Sequence, residues 1–198
     1  VAEHAGWAHV LCVAARGDMP EVVARRRITL IEPGLPTLPY HHEATAMTDA
    51  AADALIARVR QSIAEHTAAS LQRLVTELAP HHAAVALAIR QPPFDDLPGT
   101  YAPVRDSYRL MCAADGMMYQ LAICRASRQL GLDVQMSPRG EETARAAKQL
   151  GTTPGAIQKF VNRSGRPPGP PWTEEHRRAY AASIAVLAAH VRGRLRIP

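Results

Sequence analysis

The sequence predicts an α/β domain on a mixed sheet that opens with a β-hairpin, is flanked by long helices and carries a C-terminal helical extension. Three observations carry this. Two apolar, β-branched segments, His9 to Ala15 and Val22 to Ile31, flank the turn-forming Arg16-Gly17-Asp18, which reads as an antiparallel hairpin. From Asp49 to Ala79, apolar residues recur at Leu55, Val59, Ile63, Leu71, Leu74, Val75 and Leu78, the i, i+3, i+4 spacing of one long helix. Ala83 to Ile89 is a continuous apolar run too short for a core helix, as expected of a strand buried on both faces.

The remaining elements follow in order. Glu32 to Pro39 holds three prolines and a glycine, so it is a loop, and it delivers Tyr40-His41-His42-Glu43 to the next element. Thr48 or Asp49 caps the first long helix. Gln91 to Pro103, with four prolines, is a second long loop, of the kind that often carries function. Helical spacing resumes from Asp106 to Leu130 and stops at Gly131. Val134 to Met136 is a brief strand. Glu141 to Leu150 and Thr153 to Val161 are two short helices around Gly151; residues 164–171 are a Pro/Gly connector; and Thr173 caps a last helix through Val191. The chain divides into an α/β domain, 1–140, and the helical extension, 141–198.

The 198 residues are 47% hydrophobic and 21% charged, enough for one full core and inconsistent with wholesale disorder. The longest nearly unbroken apolar stretch, Tyr180 to Ala189, is well short of the ~20 residues of a membrane span. Cys12, Cys112 and Cys124 form no CxxC pair, and Cys112 and Cys124 on one helix would stand ~18 Å apart, beyond disulfide reach. A cytoplasmic protein with no membrane partner is the expectation. The formal charge is +5, and all but Lys148 and Lys159 of the 23 Lys and Arg residues are arginine, a balance compatible with an anionic partner.

Asp115 is the most informative single residue. Its helical neighbours at three and four residues are Met111, Cys112, Met118 and Tyr119, so it shares a largely apolar face and needs a partner or a metal. A hydrogen bond from Tyr119 or Tyr108 is the bland alternative. Gly116 beside it suggests close approach of another group to the helix backbone.

Three strings resemble the ribonuclease H-like superfamily, most nearly its Holliday-junction resolvase branch: Ala2-Glu3-His4-Ala5-Gly6-Trp7, Leu87-Ala88-Ile89-Arg90-Gln91 and Ala113-Ala114-Asp115. The resemblance, over residues 1–136, implies a five-stranded sheet. It also implies a Mg²⁺- or Mn²⁺-dependent nuclease site with Glu3, Glu43 and Asp115 as metal ligands and Asp95, Asp96 or Glu141 as further acids. Two departures stand out. Arg90 occupies the place of a catalytic Glu on the fourth strand, and Cys112 that of an additional acid one turn before Asp115. A guanidinium in that ring opposes a pair of metal ions, and restoring the acid as Arg90→Glu is expected to improve divalent-ion binding. His42, or His41, could serve as general base for a water nucleophile. The two histidines with Glu43 also admit a transition-metal reading, against a metal-free hydrogen-bonding loop.

Residues 143–163 resemble the helix-turn-helix of bacterial regulators: Ala147 for close packing, Gly151 for the turn, Ile157 and Phe160 for the second helix. Gln158, Lys159, Asn162 and Arg163 would lie on that helix or at its end, with Arg166 following. Arg25-Arg26-Arg27 reads either as a charged sheet edge or as a phosphate contact. Three functions stay open: a metal-dependent nuclease with a degenerate acidic site; a non-catalytic DNA-binding protein that binds through the helix-turn-helix; and a small-molecule enzyme with a pocket around Tyr40 to Glu43. The nucleic-acid contacts expected are Arg90, Lys159, Arg163 and Arg166, with a homodimer among the assemblies left open.

Overall fold

The computed structural model describes residues 1–164, 171–191 and 194–197. Strand β1 (Ala2–His4) turns at Gly6 into β2 (Trp7–Arg16), which pairs with β3 (Met19–Thr29). Gly6 has φ +86°, and a Cβ there would lie 3.0 Å from Thr37 Cγ2, so only glycine fits the turn. A loop and a short 3₁₀ turn (Glu43–Ala46) lead to α1 (Asp49–Leu78), capped by the Thr48 hydroxyl. Strand β4 (Ala86–Arg90) follows, then α2 (Tyr108–Gln129) and β5 (Asp133–Ser137). Helices α3 (Glu142–Leu150), α4 (Pro154–Arg163) and α5 (Glu174–His190) complete the chain.

The hairpin, both long helices and the three C-terminal helices lie within two or three residues of their expected bounds. The sheet differs from expectation. It is two sheets, an antiparallel one in the order β1-β2-β3 and a parallel pair β4-β5, not the single five-stranded sheet that the resemblance implies. The physical reason is the shortness of β1. Its three residues pair with β2, but toward β4 the backbone bond is the one from the preceding Val1 ammonium to the Ala88 carbonyl, 2.7 Å.

Side-chain alternation on β2 sends Val10 to one face and Leu11 to the other, which builds two cores. The larger joins the sheets to α1 and α2 through Leu30, Ile56, Ile63, Leu87, Ile89 and Ile123. The smaller joins Leu11 to α3, α4 and α5 through Ala147, Ile157, Val161, Tyr180 and Ile184. The extension is thus the third layer of the fold, with α5 lying against both β2 and β4. Among the described residues no helix is long and apolar enough to cross a membrane.

Helix α5 starts with a reciprocal cap: the Thr173 hydroxyl accepts from His176 N, and His176 Nδ1 accepts from Thr173 N at 3.1 Å. His176 is 1% exposed, Nε2 has no partner, and its ring packs 4.5 Å from that of His9. Burial, with His9 and Arg25 adding to it, lowers its pKa to about 4. An unfolded histidine titrates near 6.5, so between that pH and about 4 the unfolded chain binds the extra proton. Stability should therefore fall as pH drops through this window, by up to about 3 kcal/mol from this residue. Urea unfolding of the wild type at pH 7 and pH 4.5 measures the loss, and His176→Asn, which keeps an acceptor for Thr173 N, should flatten it.

Candidate functional site

Two buried polar residues of α2, Asp115 and Gln120, bond to the loop before α1 and to β1. Asp115 is fully buried on α2. Its Oδ1 accepts from Tyr40 N at 3.0 Å, and its Oδ2 from His41 N at 3.2 Å and His41 Nδ1 at 2.6 Å. Burial raises its pKa, and the donors from Tyr40 and His41 oppose the rise. The partners are loop backbone and imidazole, not Tyr119 or Tyr108. The Tyr119 hydroxyl instead donates to the Thr37 carbonyl, 2.7 Å, tying the same loop to the next turn of α2.

Glu3 sits nearby in the chain's architecture but is engaged elsewhere. Its Oε1 accepts from Arg90 Nη2 at 2.7 Å and from Gln120 Nε2 at 2.8 Å, with the Glu3 side chain 7% exposed and that of Arg90 39% exposed. One carboxylate thus ties β1, β4 and α2 together. Arg90 meets Glu3 as an ion-pair partner. Gln120 carries no sequence signal of its own beyond being a polar residue on an apolar helix face.

Glu43 and His42 are exposed on the 3₁₀ turn and at its start. His42 packs against His41 at 4.1 Å between ring centroids, while the Asp115 contact orients His41 and not His42. Among the described residues, no group of three or more His, Cys, Asp or Glu is placed to hold a metal ion. The expected Glu3, Glu43 and Asp115 set therefore is not gathered into a metal site. Nor do its oxygens fit a Mg²⁺ or Mn²⁺ pair: both of Asp115 accept from N–H donors, and Glu3 already faces a guanidinium. The environment of Gly116 also departs from expectation, since a Cβ there would meet nothing within 4 Å.

Residues 143–163, expected as a helix-turn-helix, form parts of two short helices joined at Gly151. Helix α3 ends at Gly151 with φ 63° and ψ 35°, and after two residues Thr153 caps α4. Ile157 and Val161 bury one face of α4, while Gln158, Lys159, Asn162 and Arg163 are exposed on the other. Gln158 Nε2 donates to Asn162 Oδ1 at 3.0 Å. Arg166 lies outside the described residues. The Arg25 to Arg27 run is occupied within the chain: Arg25 donates to the Pro171 carbonyl, Arg26 pairs with Glu77, and Arg27 lies 4.3 Å over the Trp7 ring.

Replacing Asp115 by Ala strands two backbone N–H groups and an imidazole in a buried site. We expect a loss of about 2–4 kcal/mol in denaturant unfolding, with faster hydrogen exchange of the Tyr40 and His41 amides as the local signature. No protein-family model matches the chain, and no curated protein or solved structure matches it.

Proposed function

We propose that this chain is a nucleic-acid-binding protein of ribonuclease H-like descent that docks through α4 and does not use the Glu3, Glu43 and Asp115 set to cleave phosphodiesters. The observation that carries the reading is the exposed face of α4, where Gln158, Lys159, Asn162 and Arg163 follow a left-handed glycine turn and a capped helix start. These side-chain types supply what a duplex asks for. Lys and Arg neutralise phosphates, while Gln and Asn match the donor and acceptor edges of adenine in the major groove. Ile157 and Val161 are buried and Phe160 packs against Tyr180, which leaves the face of Gln158, Lys159, Asn162 and Arg163 to meet a groove.

The ribonuclease H-like part of the reading is supported by the order of elements along the chain and by the bond from Val1 to the Ala88 carbonyl, which bridges the otherwise separate antiparallel and parallel sheets. Within it, the Glu3 to Arg90 pair favours binding over catalysis. A guanidinium 2.7 Å from the carboxylate neutralises the charge that a divalent ion would need. The net charge of +5 supports electrostatic attraction to phosphates.

Fluorescence anisotropy with labelled duplex DNA across a salt series tests the proposal. Binding at low salt should weaken as salt rises, and Lys159→Glu with Arg163→Glu should weaken it at least tenfold and flatten the salt slope. Unchanged affinity in the double variant would overturn docking by α4. In a parallel Mn²⁺ titration by calorimetry, Arg90→Glu should bind the ion more tightly than the wild type. Efficient wild-type cleavage abolished by Asp115→Asn would overturn the non-catalytic half.

A further inference from the structure

Among the described residues, no ladder joins the two sheets beyond β1. Strand β2 runs on through Val10 to Ala15 after its pairing with β1 is exhausted, and β4 pairs only with β5. The two free edges face each other across a cavity of about 390 Å³, lined on one side by Leu11 to Ala15 and on the other by residues 83–88. The Val1 contact fixes the width. Because the Val1 nitrogen reaches the Ala88 carbonyl at 2.7 Å while Ala2 pairs with His9, β1 lies between β2 and β4, one ladder spacing from each. The cavity is the prolongation of that position.

Its floor and roof are apolar. Leu74 and Leu78 of α1 close one face, and Val186 and Leu187 of α5 the other. At the rim, Val23 and Val85 stand 37% and 52% exposed, which leaves large apolar side chains uncovered beside strand edges. A space with two facing ladder edges and two apolar faces asks for a specific occupant. It must offer N–H and C=O groups at strand pitch to both sides and apolar side chains above and below.

We infer that this slot seats one extended apolar segment of about five residues, peptide-bonded to Val1 and in line with β1, antiparallel to β2 and parallel to β4. The register follows from the observed one. With Ala2 opposite His9, successive positions on the N-terminal side of Val1 stand opposite Leu11 through Ala15. The segment would complete one sheet in the order β3-β2-β1-β4-β5. A small apolar ligand would leave the ladder groups unmet. A second copy would have to present a free edge, and the outer strands β3 and β5 carry the Arg25, Arg26 and Arg27 run and Asp133 and Gln135, which do not suit an apolar slot. Attachment at Val1 also removes the entropy of association.

The inference rests on ladder geometry and is separate from the nucleic-acid reading. Its test compares two extended chains, one with Val-Ile-Val-Ile-Val ahead of Val1 and one with Gly-Ser-Gly-Ser-Gly, each begun with the same short lysine-rich leader. Hydrogen exchange of the backbone amides of residues 10–15 and 84–88 is the readout, with the melting temperature alongside. The apolar extension should slow exchange at both edges at least tenfold relative to the Gly-Ser extension and raise the melting temperature. Equal exchange in the two chains overturns the inference. So does protection of the Gly-Ser chain that appears only where sedimentation shows a dimer, which would assign the slot to a second copy.

Discussion

A carboxylate taken wholly out of water must be compensated within a few ångströms, and Asp115 imposes that condition on the loop in front of α1. Its two oxygens collect two backbone N–H groups and one imidazole, so Tyr40 and His41 have little conformational choice. Tyr119 adds a second tie to the same loop through Thr37, and Thr37 in turn crowds the Gly6 turn. A single helix face thus sets where the loop crosses the sheet. The cost of burying the charge raises the Asp115 pKa, and the cluster of donors keeps the site coherent in spite of it.

Glu3 applies the same rule to the join between the sheets. Its bonds reach Arg90 on β4 and Gln120 on α2, which hold together elements that backbone pairing connects at only one point. Breaking such a pair from one side leaves the other charge uncompensated, whereas an apolar replacement of both partners is often tolerated. The network therefore bears on the relative placement of β1 and β4 more than on the total stability.

Most of the fold was legible because its elements announce themselves by period and punctuation. The spacing of Leu55 to Leu78 predicts α1, Gly151 marks the turn between α3 and α4, and Thr48 and Thr173 stand just ahead of the helices they cap. The division into two sheets was not legible, because it depends on how far β1 extends between β2 and β4, and pairing partners are tertiary facts. For the site, apolar neighbours at helical spacing flagged Asp115 as a group in need of partners. Which partners it has could not be read, since the donors are a loop backbone and an imidazole more than seventy positions away in sequence. Arg90 was legible as a misfit among acids. Gln120 was not, because an amide on a helix face has no distinctive spacing.

Helix α5 belongs to two structures at once. It closes the small core with α3 and α4, and it also lies across β2 and β4. Among the described residues, that shared element seats α3 and α4 on the strands. A load applied at α4 would pass through α5 into the strands as a displacement of the whole body, not as a swing of a tethered arm. Such a rigid head gives up the ability to adjust its reach or angle to targets of varied spacing. In exchange, little orientational freedom remains to be lost when it docks.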